Sequence, residues 1–474
     1  MSVTKISEKF TDKKSKFNQY ITHPEIFDCD DFNIIKLFQY AIFREEGFNA
    51  RPYWKWPFFL IQLLLFVKRL RIKNKPHFKT NIHITILAGD THRSILNNEG
   101  KFKSRYFENI LNYLNKEKTL FVNTNIIPSG TTHDASFNEF YEYYSVLPLT
   151  NDDKRLLKHL KKTYQTIISK LNLDTAKIKI FEEIIQIFWQ QYRAYRKFLE
   201  HYPNIKVALV FPHYQMESLI YALRRRQIKI IELQHGLIAK EDMFYVYDKN
   251  IVKVREKALF ADEIWTYGKY WKNVLLNGYE YDEKQIKVFG YYPFYEKNFS
   301  KEFERLAAEI KNKYPTIIFA TAQKNLEHHL AEYLNFLLKD THQKKQNIAL
   351  IIKPHPSASQ DIADFLIKDF GNVFVVNYPM EWLFQICHIH ISIYSTTLFD
   401  ALMFNIKNNF ALNHPLFSDY VEGICKQGIA QKLEMHENVM DKVNIVSTQH
   451  SAYSPEYFYQ SPDYSMLSNL SRPE

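Results

Sequence analysis

Between residues 81 and 404 the chain alternates short apolar runs with longer stretches whose apolar residues recur every three to four positions. Runs of four to eight apolar residues bounded by polar turns predict strands, and the three-to-four spacing predicts helices packed by one face. In the first half the runs HITILAGD (83–90), TLFVN (119–123), KVALVFP (206–212), IKIIEL (228–233), EIWTYG (263–268) and IKVFG (286–290) read as strands. Helical spacing covers 106–114, 216–226 and 269–277, and the long polar stretch 151–201 reads as a helical insertion or crossover. A linker bounded by Pro293 and Pro315 follows. The second half repeats the alternation, with strands at TIIFATA (316–322), IALIIKPHP (348–356), NVFVVN (372–377) and HIHISIYS (388–395). Its helices are expected to run to about 338 and over 359–369, 381–386 and 397–404.

Strand and helix in strict alternation build parallel sheets covered on both faces. A chain of 474 residues exceeds the ~250–300 residues at which single cores stop growing. The expected fold is therefore α/β, with two Rossmann-like doubly wound domains facing a cleft. An N-terminal extension covers 1–80, a first domain 81–295, a second 315–450 and a tail 451–474.

One segment departs from this pattern. Residues 54–75 read WKWPFFLIQLLLFVKRLRIKNK, an apolar run shorter than the ~20 residues a spanning helix needs. Tryptophan at one end and Lys and Arg at the other suit a membrane–water boundary. A buried helix followed by a solvated basic turn is the other reading, and the residues alone leave both open.

Composition narrows the partners. The formal charge is +10, which favours anionic ligands such as nucleotide phosphates, lipid headgroups or acidic glycans. The Lys and Arg residues are dispersed and form no zinc-finger, RNP1-like or basic-zipper pattern, so nucleic acid is not expected as a partner. Cys29, Cys387 and Cys425 stand far apart without CxxC spacing, which predicts neither a zinc knot nor a disulfide framework. The first residues, MSVTKISEKFTDKKSKF, lack the apolar core of a signal peptide. The expected location is the cytoplasm, peripheral on the inner face of the membrane if 54–75 meets lipid.

Ligands of doubly wound sheets bind beyond the carboxyl ends of the strands, and three polar segments fall there. KPHP places Lys353 and His355 after a strand, with Pro354 and Pro356 stiffening the turn. Lysine supplies charge and histidine a hydrogen-bond donor for a phosphate leaving group. Ser395, Thr396 and Thr397 precede a helix whose first amides can meet phosphate, and Asp400 follows as a ribose contact or a helix-dipole partner. ELQHG brings Glu232, Gln234, His235 and Gly236 to a strand end. His235 is a candidate general base. Glu232 can orient it only if the chain turns after Leu233, because residues three apart on a strand face opposite ways. Gly236 is expected to permit a tight turn.

Secondary candidates follow other strands. GDTHRS carries Asp90, an alternative base, with His92 and Arg93, and FPHYQMES carries His213 and Glu217 for the acceptor side. No DxD follows a strand, so metal-independent chemistry is expected, with no cofactor beyond the nucleotide donor itself.

ELQHG, KPHP and STTLFDAL, in this order, resemble segments of bacterial capsule and lipopolysaccharide transferases. These include capsule Kdo transferases, the sialyl- and polysialyltransferases with His-Pro and Ser-Ser/Thr motifs, and the CDP-glycerol glycerophosphotransferases of teichoic acid synthesis. The resemblance is strongest from Lys206 to Asn413. It implies a GT-B-type fold and transfer of a sugar, with Kdo or sialic acid from a CMP-activated donor favoured, to a glycan or lipid-linked acceptor. Glycerophosphate transfer from CDP-glycerol, or hexose transfer from a UDP-sugar, stands as the alternative. It further implies that His355, Ser395, Thr396 and Thr397 hold the donor phosphate. His235 matches the histidine of the glycerophosphotransferases' Trp-His-Gly, with Gln234 in place of the Trp. Glu99 of Asn98-Glu99-Gly100 is the nearest match to the acidic base of the sialyltransferases.

Overall fold

A computed structural model of the chain describes residues 17–43, 55–72, 83–90, 94–96, 102–123, 135–212, 216–238, 245, 251, 254, 257–278, 281–294, 297–323, 326–355, 361–366, 370–443 and 454–470. These divide into two compact units, one within 9–294 and 460–474, the other within 295–459.

The first unit is organised on a seven-stranded sheet: β1 (Ile86–Asp90), β2 (Thr119–Asn123), β3 (Ala135–Ser136), β4 (Val207–Val210), β5 (Lys229–Leu233), β6 (Glu263–Thr266) and β7 (Ile286–Val288). Its strands lie in the order β3-β2-β1-β4-β5-β6-β7 and every pairing is parallel. The order reverses between β1 and β4, where Ala88 stands opposite Leu209 and Gly89 opposite Val210. Every residue of β4 is buried, as a central parallel strand covered on both faces must be.

Helices α1 (Ile35–Phe43) and α2 (Phe58–Leu70) precede the sheet. The stretch 151–201 is not one helix but two, α3 (Asn151–Leu171) and α4 (Thr175–Glu200), and it forms the crossover from β3 to β4. A reciprocal capping box between Thr150 and Asp153 starts α3, and Asn172, left-handed at φ 38°, stops it. Asp174 then caps α4 by accepting from the Lys177 amide at 2.8 Å. An Asn in the left-handed region ends a helix at little steric cost, a signal that the apolar spacing alone conceals.

The second unit carries β8 (Thr316–Thr321), β9 (Ile348–Lys353), β10 (Val373–Val375), β11 (Ile389–Ser392), β12 (Asn408–Leu412) and β13 (Gln431–Leu433). They form an all-parallel sheet in the order β10-β9-β8-β11-β12-β13. By strand number within the unit this is 3-2-1-4-5-6, the Rossmann order, with its switch point between β8 and β11. Both units are thus doubly wound α/β domains.

Alternation along the strands sorts the core of this unit into two layers. Helices α5 (Glu217–Arg224) of the first unit and α6 (Lys301–Lys313) and α7 (Glu327–Gln343) of the second follow in chain order. Ile317, Phe319, Ala349 and Ile351 pack against Phe303, Ala307 and Ile310 of α6. Ile318, Ala320, Leu350 and Ile352 pack against Leu330, Leu334 and Leu337 of α7. The expected linker between Pro293 and Pro315 is therefore a core element. Ser300 caps it by accepting from the Phe303 amide at 3.2 Å, and Phe303, Ala307 and Ile310 recur at helical spacing. The helix expected over 359–369 is, among the described residues, only a short 3₁₀ turn, Ile362–Phe365.

The tail divides between the units. Residues 460–464 join the first, where the Tyr291 amide donates to the Gln460 carbonyl at 2.8 Å and the Asp463 amide to the Phe289 carbonyl at 2.7 Å. Tyr464 stacks on Tyr113 with ring centres 3.7 Å apart. Gly290 makes this approach feasible: its φ is +109°, and a Cβ there would lie 2.6 Å from backbone atoms of Ser461 and Pro462. Gly290→Ala is accordingly expected to destabilise the protein by at least about 2 kcal/mol through backbone strain and overlap. Chemical denaturation checks this, and an unchanged midpoint would contradict the tail's place in the fold.

Candidate functional site

In the second unit, the ends of two adjacent strands and the start of a helix are joined by one buried hydroxyl. Thr321, the last residue of β8, donates to Ser392 Oγ at 2.8 Å and meets Thr397 Oγ1 at 3.0 Å and His390 Nε2 at 3.3 Å. Next to it, the Ala322 amide donates to the Lys353 carbonyl at 3.0 Å. The loops leaving β9 and β11 are thus tied to the end of β8 at the carboxyl edge of the sheet, beside the switch point.

The imidazole within this joint is neutral. His390 is wholly buried, and burial lowers its pKa to about 4, partly offset by its bond to Asn409. The Asn409 amide nitrogen donates to the Leu398 and Ile429 carbonyls, so its oxygen faces His390 Nδ1 at 2.7 Å. That assigns the proton to Nδ1 and leaves Nε2 unprotonated, 3.3 Å from Thr321 Oγ1.

Lys353 and His355 are both partly exposed at this edge. The Lys353 ammonium donates to the Tyr378 carbonyl at 2.6 Å and to Asn377 Oδ1 at 3.1 Å, which holds it against the loop after β10. Pro356 lies outside the described residues.

The segment 395–400 differs from expectation in its detail. Ser395 and Thr396 are partly exposed, but Thr397 is buried with its hydroxyl on Thr321. The first amides of α8 (Thr397–Met403) are already bonded. Thr397 donates to Ser395 Oγ at 3.2 Å, Leu398 to the Ser395 carbonyl, and Phe399 and Asp400 to the Thr396 carbonyl. A two-turn helix whose opening amides are closed on themselves is not an open anion site. The surface left to a ligand is the loop 394–396, which is braced by Tyr394 stacking on Phe417 at 4.6 Å and meeting Tyr420 edge-on. Asp400 accepts from the Tyr459 hydroxyl at 2.7 Å and is buried, so it docks α9 (Pro455–Phe458) and its neighbour rather than presenting a carboxylate to ribose.

In the first unit ELQHG leaves β5 as a braced loop. Gln234 is wholly buried: its side-chain oxygen accepts from the Tyr267 amide at 2.7 Å and its nitrogen donates to the Gly236 carbonyl at 2.8 Å. The Tyr292 hydroxyl donates to the Gln234 carbonyl at 2.8 Å and that of Tyr106 to the His235 carbonyl at 2.5 Å. Glu232 is buried and accepts from the Tyr245 hydroxyl, which accounts for its carboxylate without His235. His235 itself is only 8% exposed, and a base in that position needs the loop to open before an acceptor reaches it. Gly236 has an ordinary φ, and a Cβ there would meet nothing within 4 Å, so no tight turn depends on it.

Of the other candidates, Glu217 is buried and accepts from the Tyr40 hydroxyl at 2.7 Å, facing the N-terminal helices instead of a ligand. Asp90 ends β1 at the switch point of its sheet. His92, Arg93, Glu99 and His213 lie outside the described residues. Thr321, His390, Asn409 and the tyrosines around ELQHG were not singled out from sequence. For Thr321, His390 and Asn409 the signal was available as polar residues within otherwise apolar strands.

No family model matches the chain. The minor teichoic acid biosynthesis protein GgaB of Bacillus subtilis (strain 168) is 25% identical over 316 residues, 61% of this chain and 33% of that protein. The chain thus spans about a third of the length of that relative. Among solved structures, the S. aureus MnaA–UDP co-structure aligns with a TM-score of 0.47 and 12% identity, covering 82% of this chain and 94% of that one. UDP-GlcNAc 2-epimerase from Methanocaldococcus jannaschii aligns with a TM-score of 0.48 and 13% identity, over 82% and 99%. Similarity of that degree transfers no ligand or activity.

Two outcomes test the roles assigned to these residues. His390 is neutral in the folded state down to about pH 4, whereas an unfolded imidazole takes up its proton near pH 6.5. Its contribution is full above pH 6.5 and is lost on acidification towards pH 4, by up to about 1.4 kcal/mol per pH unit. Urea denaturation between pH 6.5 and 5 should show this slope, and His390→Gln should flatten it. In the ELQHG loop, Gln234→Leu should cost about 2 kcal/mol or more by stranding a buried amide and carbonyl, while Gly236→Ala should stay within about 0.5 kcal/mol. Equal effects would refute the bracing role.

Proposed function

We propose that this chain is a group-transfer enzyme of cell-surface glycan synthesis that uses a nucleotide-activated donor and binds the donor phosphate in its second unit. The observation that supports this most is the gathering of Lys353, His355 and the loop 394–396 at the carboxyl edge of a 3-2-1-4-5-6 sheet, beside its switch point. Phosphate-bearing ligands of such sheets bind at that position. The partial likeness to a teichoic acid biosynthesis protein favours a polyol-phosphate or glycan polymer as acceptor. It lends nothing to the CMP-linked Kdo or sialic acid suggested by the motifs. A nucleoside-diphosphate donor carrying a sugar or glycerol is proposed ahead of them.

In the proposed reaction an acceptor hydroxyl gives its proton to a base and attacks the donor, and the nucleotide phosphate departs with the bonding pair. Lys353 opposes the charge that develops on the leaving group and His355 donates a hydrogen bond to it. Stabilisation of that charge is the larger part of catalysis. Of the candidate bases, Asp90 ends β1 and His235 is enclosed by its loop.

The test is turnover of UDP-, CDP- and CMP-activated donors by purified protein with glycan and polyol-phosphate acceptors. Release of UDP marks sugar transfer, whereas release of CMP from CDP-glycerol marks glycerophosphate transfer. Lys353→Ala and His355→Ala should each lower kcat/KM by about 10- to 100-fold with unchanged thermal stability, as expected for one charge-assisted hydrogen bond. Activity should survive EDTA. Absence of turnover with every donor, together with donor binding that ignores His355→Ala, would remove the reading.

A further inference from the structure

Helix α2 carries its apolar residues on the wrong side for a globular protein. It buries Ile61 and Leu65 against its own unit, yet Phe59, Leu63, Phe66 and Leu70 are 58–69% exposed. Their spacing, i, i+4, i+7 and i+11, places them on one face. With Phe58, Leu60 and Val67, α2 holds seven of the nine exposed large apolar side chains among the described residues, and the other two, Tyr113 and Val375, lie on separate elements. Isolated exposed apolar residues need no explanation, but a contiguous patch does.

The helix is held in place from beneath. Lys55 pairs with Glu182 of α4 at 2.8 Å, and Gln62 accepts from the Leu149 amide at 3.4 Å, just before α3. A fixed support keeps the outward face presented.

We propose that this face lies in the plane of an anionic lipid surface. Length decides against spanning: thirteen residues at ~1.5 Å each reach about 20 Å, short of a hydrocarbon core of ~30 Å. Charge decides the kind of surface. Residues 47–89 contain no Asp or Glu, so apart from histidine every charge in that stretch is Lys or Arg. Lys68 and Arg69 lie in the last turn of α2 and Arg71 caps it. An apolar face edged by cations, with Trp56 at the opposite end, matches acyl chains below an anionic headgroup layer. A second copy of this chain, itself at +10, would bring another all-basic segment to the same face. The surface is a property of α2 alone and is independent of the proposed reaction.

The experiment is co-sedimentation of the full chain with vesicles of phosphatidylcholine alone or mixed with phosphatidylglycerol. The expected result is association with the mixed vesicles, weaker association with the neutral ones, and a several-fold loss on raising salt from about 0.1 M to 0.5 M. Phe59→Ser with Phe66→Ser should reduce partitioning at least about tenfold. Arg69→Gln and Arg71→Gln should reduce it about fivefold each. Both sets should melt like the parent. Absence of vesicle association would overturn the proposal, as would association indifferent to the Phe variants. So would self-association in sedimentation velocity that the Phe variants abolish, since that would make a second copy the occupant.

Discussion

The carboxyl edge of the second sheet depends on satisfying polar groups where water is excluded. Thr321, His390 and Ser392, on otherwise aliphatic strands, and Thr397, at the start of α8, are all buried. Each of these polar groups would cost about 1–3 kcal/mol if left unsatisfied. Their mutual bonds, with Asn409 closing the set, remove that cost only in one arrangement of β8, β11, β12 and α8. The network therefore fixes position more than it adds net stability. What it positions is the pair of loops after β9 and β11, which carry Lys353, His355, Ser395 and Thr396.

The first unit solves a parallel problem with tyrosines. ELQHG is held by the hydroxyls of Tyr106, Tyr245 and Tyr292 and by the amide of Tyr267. Tyrosine supplies apolar area for the core and one polar atom to meet a loop carbonyl. The high aromatic content of the chain, 16%, thus has a structural use here.

Much of the architecture was legible because parallel strands buried on both faces leave an apolar signature that few other elements produce. β4, β8 and β9 stand out for that reason. Less was legible where the deciding feature was one residue: Asn172 splitting the crossover, Ser300 opening α6, Gly290 admitting the tail. The strand order had no local signal, because it depends on which strands pair across hundreds of residues. At the candidate site, residue types picked out loops but not which of their side chains face outward. Thr397, Asp400, Glu232 and Glu217 are polar residues whose partners lie far away in sequence, so burial and hydrogen bonding could assign them and spacing could not. α2 was the reverse case: spacing alone could not tell which of its apolar residues its own unit covers, Ile61 and Leu65, and which it leaves exposed.

The proposed seat of the donor phosphate is the carboxyl edge of the second unit. The most direct measurement is a crystal structure of the chain soaked with a nucleoside diphosphate. Phosphate density is expected within hydrogen-bonding distance of Lys353 or His355 and of the loop 394–396, with the Thr321 network unmoved. Nucleotide bound only in the first unit, or phosphate density remote from these residues, would contradict it.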